Sequence, residues 1–199
     1  IMKKLLVAST LLLGLTTSHT ALAQETYTID PSHTNVLLRV MHLGYSTMVI
    51  EALNPEGTIT FDQDNPENNA VDITIKSENI DGDGEKFNEH LHSADFFNVE
   101  EYPEITFKST KVEKTGENTG IVTGDLTLLG VTKPVTLDTT LNKAAPNPRS
   151  NVPTVGFTAT GMIKRSDFGM EYGLPGVGDE VKLDINVEAA QETEEETAE

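Results

Sequence analysis

The sequence predicts an all-β protein, a sandwich or barrel of about eight strands with one short helix near residues 84–94. Three observations carry that expectation. Apolar residues alternate with polar ones over most of the chain, the period of a strand with one face buried. Turn-forming clusters of Gly, Pro, Asn and Asp separate these runs. A 3.6-residue stripe occurs in one interval, so the strands do not alternate with helices as they would in a parallel α/β fold.

The first segment reads as a leader. Met2-Lys3-Lys4 is a short basic start, Leu5 to Leu15 is an apolar run, and Ala21-Leu22-Ala23 has the small-x-small pattern of a cleavage site. The apolar run is shorter than the roughly 20 residues a membrane span needs. Residues 1–23 are therefore expected to be a cleaved signal peptide, and residues 24–190 the folded domain. A leader of this form points to a bacterial periplasmic or secreted protein.

Past the leader the strands follow in order. Val36, Leu38 and Val40 share one parity; Ile59 and Phe61 follow, then Val71, Ile73 and Ile75. Between Glu85 and Ala94, Phe87, Leu91 and Ala94 fall at i, i+4 and i+7, a helical stripe that Asp83-Gly84 is placed to cap. Phe96-Phe97 come next, so an aromatic-tipped helix plugging or covering one end is expected. Strand alternation resumes at Ile105 and Phe107, then Leu126 and Leu128, Val135, Leu137 and Leu141, Val155, Phe157 and Ala159, and finally Val181 to Val187. The breaks are Asn54-Pro55-Glu56-Gly57, Asp64-Asn65-Pro66, Gly116-Glu117-Asn118 and Pro146-Asn147-Pro148. Gln191 to Glu199 holds five Glu and no large apolar residue, and reads as a disordered acidic tail.

Composition excludes several chemistries. The 199 residues contain no Cys, which removes disulfides, thiolate metal sites and a cysteine nucleophile. There are 14 Lys+Arg against 32 Asp+Glu, a formal charge of -18. Loss of residues 1–23 takes Lys3 and Lys4 and no acid, leaving -20. Such a surface repels nucleic acid and anionic membranes, so neither nucleic-acid binding nor stable membrane insertion is expected. No Gly-x-Ser-x-Gly elbow is present. His90 and His92, at i and i+2, diverge on a helix rather than converge on a metal. Asp81-Gly82-Asp83-Gly84-Glu85 begins like a calcium loop, but Lys86 stands at its sixth position and His92 at its twelfth, so a turn is expected instead.

Four motifs in order resemble one family. They are Ile29-Asp30-Pro31-Ser32-His33-Thr34 leading to His42; His90-Leu91-x-Ser93-x-Asp95-Phe96-Phe97 with Tyr102-Pro103-x-Ile105-Thr106-Phe107-x-Ser109; Gly124-Asp125-Leu126-Thr127-Leu128-x-Gly130-Val131-Thr132-Lys133-Pro134-Val135; and Arg165-Ser166-Asp167-Phe168-Gly169-Met170 with Val177-Gly178-Asp179-Glu180-Val181. From Tyr27 to about Ala190 the chain is similar to the YceI family of periplasmic polyisoprenoid-binding proteins. The resemblance implies an extended, lipocalin-like antiparallel β-barrel whose apolar tunnel holds a polyisoprenoid or isoprenoid-quinone-type lipid. It implies no enzymatic activity and no cofactor other than such a lipid, and it is compatible with a homodimer. Two departures stand out. Phe87-Asn88 replace the family's usual Arg-Asp, with His92 in place of a common Arg, and Met48-Val49-Ile50-Glu51 lacks the usual Gly.

Strand parity then nominates contacts. The apolar lining is expected to be Val36, Leu38, Val40, Phe61, Ile73, Phe107, Leu128, Leu137 and Phe157, joined by Phe87, Leu91, Phe96, Phe97, Phe168 and Met170 from the helix and loops. Counting by twos brings His42, Arg165 and Asp167 inward at strand ends, where they are candidates for a lipid head group. Every small barrel needs an apolar interior, so a filled core serving a structural or stress-response interaction protein without ligand remains an alternative. Arg165 and Asp167 pairing with each other and with backbone to close the barrel is another.

Overall fold

The computed structural model describes residues 25–192. The leader read over residues 1–23 lies outside the described residues, as does the acidic tail from residue 193 onward. Among the described residues the strands are β1 (Glu25–Ile29), β2 (Asn35–His42), β3 (Ser46–Ala52), β4 (Glu56–Phe61), β5 (Ala70–Lys76), β6 (Ile80–Asp81), β7 (Glu104–Lys114), β8 (Thr119–Leu128), β9 (Val131–Pro146), β10 (Pro153–Lys164) and β11 (Val177–Ala190), with one α-helix, α1 (Glu85–His92).

All neighbours pair antiparallel, and the ring β1-β4-β5-β7-β8-β9-β10-β11 closes through β1 and β11 into an eight-strand barrel. The first six segments are three staves, each broken once. β1 and β2 both run along β11, with Ile29 opposite Ala189 and Val36 opposite Ile185. β3 continues into β4 past the buried Pro55, and β5 into β6 past the buried Ser77. Ser77 holds its break by donating from Oγ to the Tyr102 carbonyl, 2.6 Å.

The breaks leave the lower barrel incomplete. β5 pairs with β7, whereas the pairing recorded for β6 is with β3. The segment from α1 to residue 103 fills the space between β6 and β7. Leu91 is 1% exposed beneath the barrel, and Phe97 and Phe168 are buried beside it. Phe87 lies across Gly82, where a β-carbon would stand 2.1 Å from its ring.

The helix is shorter at its end, and differently held at its start, than the sequence predicts. Ser93 terminates it by accepting no further turn: its Oγ donates to the His90 carbonyl, 2.7 Å, and Ala94 is left exposed in the following turn. Gly84 is the N-cap and supplies no side-chain bond. Asn88 anchors the helix instead. Its Oδ1 accepts from the Gly82 N–H and its Nδ2 donates to Asp81, both 2.7 Å. A neutral amide thus fixes the helix. The Asn88 amide and the Asp83 N–H, both donating to Asp81, hold its carboxyl below its ordinary range.

Irregular register on β7 and β9 shifts the inward parity, while that on β11 keeps it. On β7 the register slips between Ser109 and Lys111, so Ile105 and Phe107 face inward by odd count and Val112 by even count. On β11 the register slips between Val177 and Val181, releasing backbone groups from the ladder.

Candidate functional site: an apolar cavity with one blind end

The barrel interior is not filled by its side chains. A cavity of about 280 Å³ runs from a mouth ringed by Asp62, Gln63, Asn69, Glu113, Lys114, Glu117 and Asn118 to a floor formed by Ile80, Phe97, Ile163, Arg165 and Met170. Along β8 the wall extends from Gly120 to Leu128. Eight steps of ~3.3 Å on a strand tilted ~40° give a depth of about 20 Å.

The sequence-nominated residues separate into two groups. Val36, Leu38, Phe61, Ile73, Phe97, Phe107, Leu128, Leu137, Phe157 and Met170 stand on the cavity wall. Val36, Leu38, Ile73, Phe107 and Phe157 are only partly buried although they point inward, because they face open space rather than a packed neighbour. Val40, Leu91 and Phe168 belong instead to the packed core beneath the floor, and Phe87 and Phe96 pack against that core. The helix and loop nominated most of the residues displaced from the wall, since they plug the barrel from outside and touch the cavity mainly through Phe97.

Parity missed much of the wall. Ile59, Val71, Ile75, Ile105, Val122, Val135, Ala159, Leu183 and Ile185 also line it. Ile59, Val71, Ile75, Ile105, Val135 and Ala159 each lie two residues from a nominated neighbour, so extending the same count would have found them; Val122 lies six from Leu128 on β8, and Leu183 and Ile185 lie on β11, from which no lining residue was nominated. Val112 required the β7 bulge. The parity switch between Phe107 and Val112 is its visible signal.

Two of the three head-group candidates stand elsewhere. His42 is half-buried opposite Ser46 at the tip of the β2–β3 hairpin, off the cavity wall. Asp167 is exposed, because a tight 3₁₀ turn over Arg165–Phe168 ends strand parity after Lys164. Arg165 alone reaches the cavity. It is 3% exposed. Its Nε donates to the Gly178 carbonyl at 2.8 Å, Nη1 to Met170 at 2.8 Å and Nη2 to Val177 at 3.0 Å. Two of these carbonyls belong to the β11 bulge, so the guanidinium satisfies backbone groups the ladder has released. Burial lowers its pKa from the ordinary arginine value. It remains protonated at any physiological pH.

The acid in this corner is Asp179, not Asp167. Its two oxygens accept from the Ser166 N–H at 2.9 Å and the Ser166 hydroxyl at 2.8 Å, which holds its carboxyl below the usual carboxylate range. Among the described residues Arg165 makes no ion pair with a carboxylate.

At the mouth, Tyr27, Phe61 and Phe157 form edge-to-face contacts, 6.5 Å and 5.6 Å between centroids. Asp62 ties the adjoining loop by accepting from the N–H groups of Asp64 and Asn65, both 2.9 Å. The two helix histidines diverge: His90 meets Asp95 at 3.1 Å and His92 the Ile80 carbonyl at 2.8 Å. Among the described residues no group of three or more His, Asp or Glu is placed to hold a metal ion. None of the described helices is long and apolar enough to cross a membrane.

Comparison with known proteins places this architecture. The YceI-like domain matches residues 27–189. Protein YceI of Salmonella arizonae is 42% identical over 193 residues, covering 96% of this chain and all of that protein. Among solved structures, the YceI protein of Campylobacter jejuni superposes with a TM-score of 0.70 at 28% identity, covering 92% of this chain and 100% of that one. A polyisoprenoid binding domain from Saccharophagus degradans superposes with a TM-score of 0.64 at 13% identity, covering 83% of this chain and 98% of that one, a likeness of fold alone.

Proposed function

The chain belongs to the YceI-like family, and on that premise we propose that it is a lipid carrier, holding one polyisoprenoid or isoprenoid-quinone-type molecule inside its barrel. The observation that carries this reading is the cavity itself. A barrel whose only task was stability would pack its interior to the density of a protein core. Here Phe107, Phe157, Ile73 and Leu38 face open space from the wall.

The mechanism is non-covalent sequestration. Each Å² of apolar surface removed from water contributes about 25 cal/mol, so a hydrocarbon chain along the wall gains binding energy over its whole length. The volume sits at the lower edge of the ~300–1,000 Å³ of small-molecule pockets. That suits one extended chain rather than a bulky folded ligand. Binding rather than catalysis is the proposed activity. The periplasm is the proposed compartment, from the leader pattern in residues 2–23.

Native mass spectrometry of the purified protein without residues 1–23, with extraction and analysis of its lipid, tests the reading. A co-purified long-chain isoprenoid lipid is the expected result. A protein that carries no lipid and binds no added isoprenoid quinone overturns it.

A further inference from the structure

We propose that the blind end of the cavity, not its mouth, is the head-group site: the ligand's oxygen acceptor lies against Arg165 and its chain runs outward to the rim. This inference deepens the carrier reading and rests on it.

Four observations lead there. Arg165 is 3% exposed and stands on the cavity floor beside Met170. It has no carboxylate partner among the described residues. Its nearest acid, Asp179, gives both oxygens to Ser166. A guanidinium carries five N–H donors. Three are taken by the carbonyls of Met170, Val177 and Gly178, leaving one on each Nη. A buried cation with spare donors in an otherwise apolar enclosure is stabilised by an oxygen acceptor.

The mouth offers the reverse environment. Its rim carries Asp62, Glu113 and Glu117 against one cation, Lys114. Those carboxylates repel an anionic head, and solvent at the rim already satisfies a neutral one.

The same geometry sets the chemical class of the head. One cation balances at most one negative charge, so the site fits a carbonyl or phenol oxygen, as in a quinone, or a single carboxylate. A diphosphate would bring more charge than Arg165 offsets. It would also have to cross the apolar wall of Leu126, Val122 and Ile185 with its charges stripped of water. Quinone and fatty-acid heads share this chemistry, and the measurements below separate them.

The test uses the wild-type protein, because removing Arg165 would also release three carbonyls. Methyl signals of Met170 report the floor and those of Val71 and Val112 the mouth. A stearate bearing a nitroxide near its methyl end is expected to broaden Val71 and Val112 and spare Met170. A stearate labelled near its carboxyl is expected to do the opposite. Met170 broadened by the methyl-end label overturns the inference while leaving the carrier reading intact. Failure of both probes and of isoprenoid quinones to bind overturns both.

Affinity provides the second arm. With one C20 isoprenoid chain, the quinone and carboxylate heads are expected to bind at least tenfold more tightly than the diphosphate. The tighter of the two identifies the source. Equal or stronger binding of the diphosphate overturns the inference.

Discussion

The floor and the mouth of the barrel treat the same residue types in opposite ways. At the floor, Ile80 and Leu91 are each 1% exposed and Phe168 is 2% exposed, drawn from three separate segments into one packed plug. At the mouth, Phe61, Phe157 and Val187 point inward yet remain half-buried. The inward-facing side chains just named are apolar in both regions, so hydrophobicity does not distinguish them. Packing does. A side chain that faces inward and still keeps accessible surface marks a space meant for something else, whereas one that loses all of it marks structure.

Leu91→Ala should produce the largest effect, and only at the floor. Removing a fully buried Leu costs about 3 kcal/mol once the residual cavity is included. Chemical denaturation should show that loss. A loss below about 1 kcal/mol would mean that the plug is loosely packed and that the contrast with the mouth fails.

Ala159→Trp should act on the cavity instead. Ala159 faces inward between Thr139 and Ile185 and lines the wall. An indole there occupies the path of the chain. Lipid affinity should fall at least tenfold, about 1.4 kcal/mol, while the melting temperature changes little, because the added volume enters open space. A large stability loss with unchanged binding would show the wall to be packed core.

Phe61→Ala tests the mouth aromatics. Its ring makes edge contacts with Tyr27 and Phe157, each worth about 0.5–1.5 kcal/mol beyond burial. Bound lipid should dissociate several-fold faster, read by stopped-flow exchange, with a stability loss well below that of Leu91→Ala.

The smallest effect is acid dependence at the mouth. Asp62 accepts from the Asn65 side chain and from the Asn65 and Asp64 N–H groups, which lowers its pKa below the ordinary 3.8. A carboxyl depressed in the folded state contributes its stabilisation fully above its unfolded pKa and loses it as pH falls through the folded value. Urea midpoints measured as pH drops below about 4 should therefore decline more steeply in the wild type than in Asp62→Asn. Parallel declines would show that the loop is not held by that carboxylate.

Much of this was legible in the chain. The alternation from Val36 to Val40 and from Val181 to Val187 predicts strands that do pair, Leu38 opposite Leu183. Ten of the fifteen nominated lining residues stand on the wall. What parity could not supply was depth. Val40 and Leu38 share a strand face, yet one is packed beneath the floor and the other borders open space. The count also failed where regular strand ends, at the turn that carries Asp167 outward.

By itself the sequence determined the strand faces, the single helix and the apolar interior, because alternation and turn residues act locally and every strand obeys the same two-residue geometry. Only the tertiary structure decided which end is blind, which apolar residues fill and which enclose, and why Arg165 is buried. Those outcomes depend on the β11 bulge meeting the turn at Arg165 and on α1 occupying the gap beside β6. They are contacts between segments far apart in the chain, and no local pattern encodes the volume left between them.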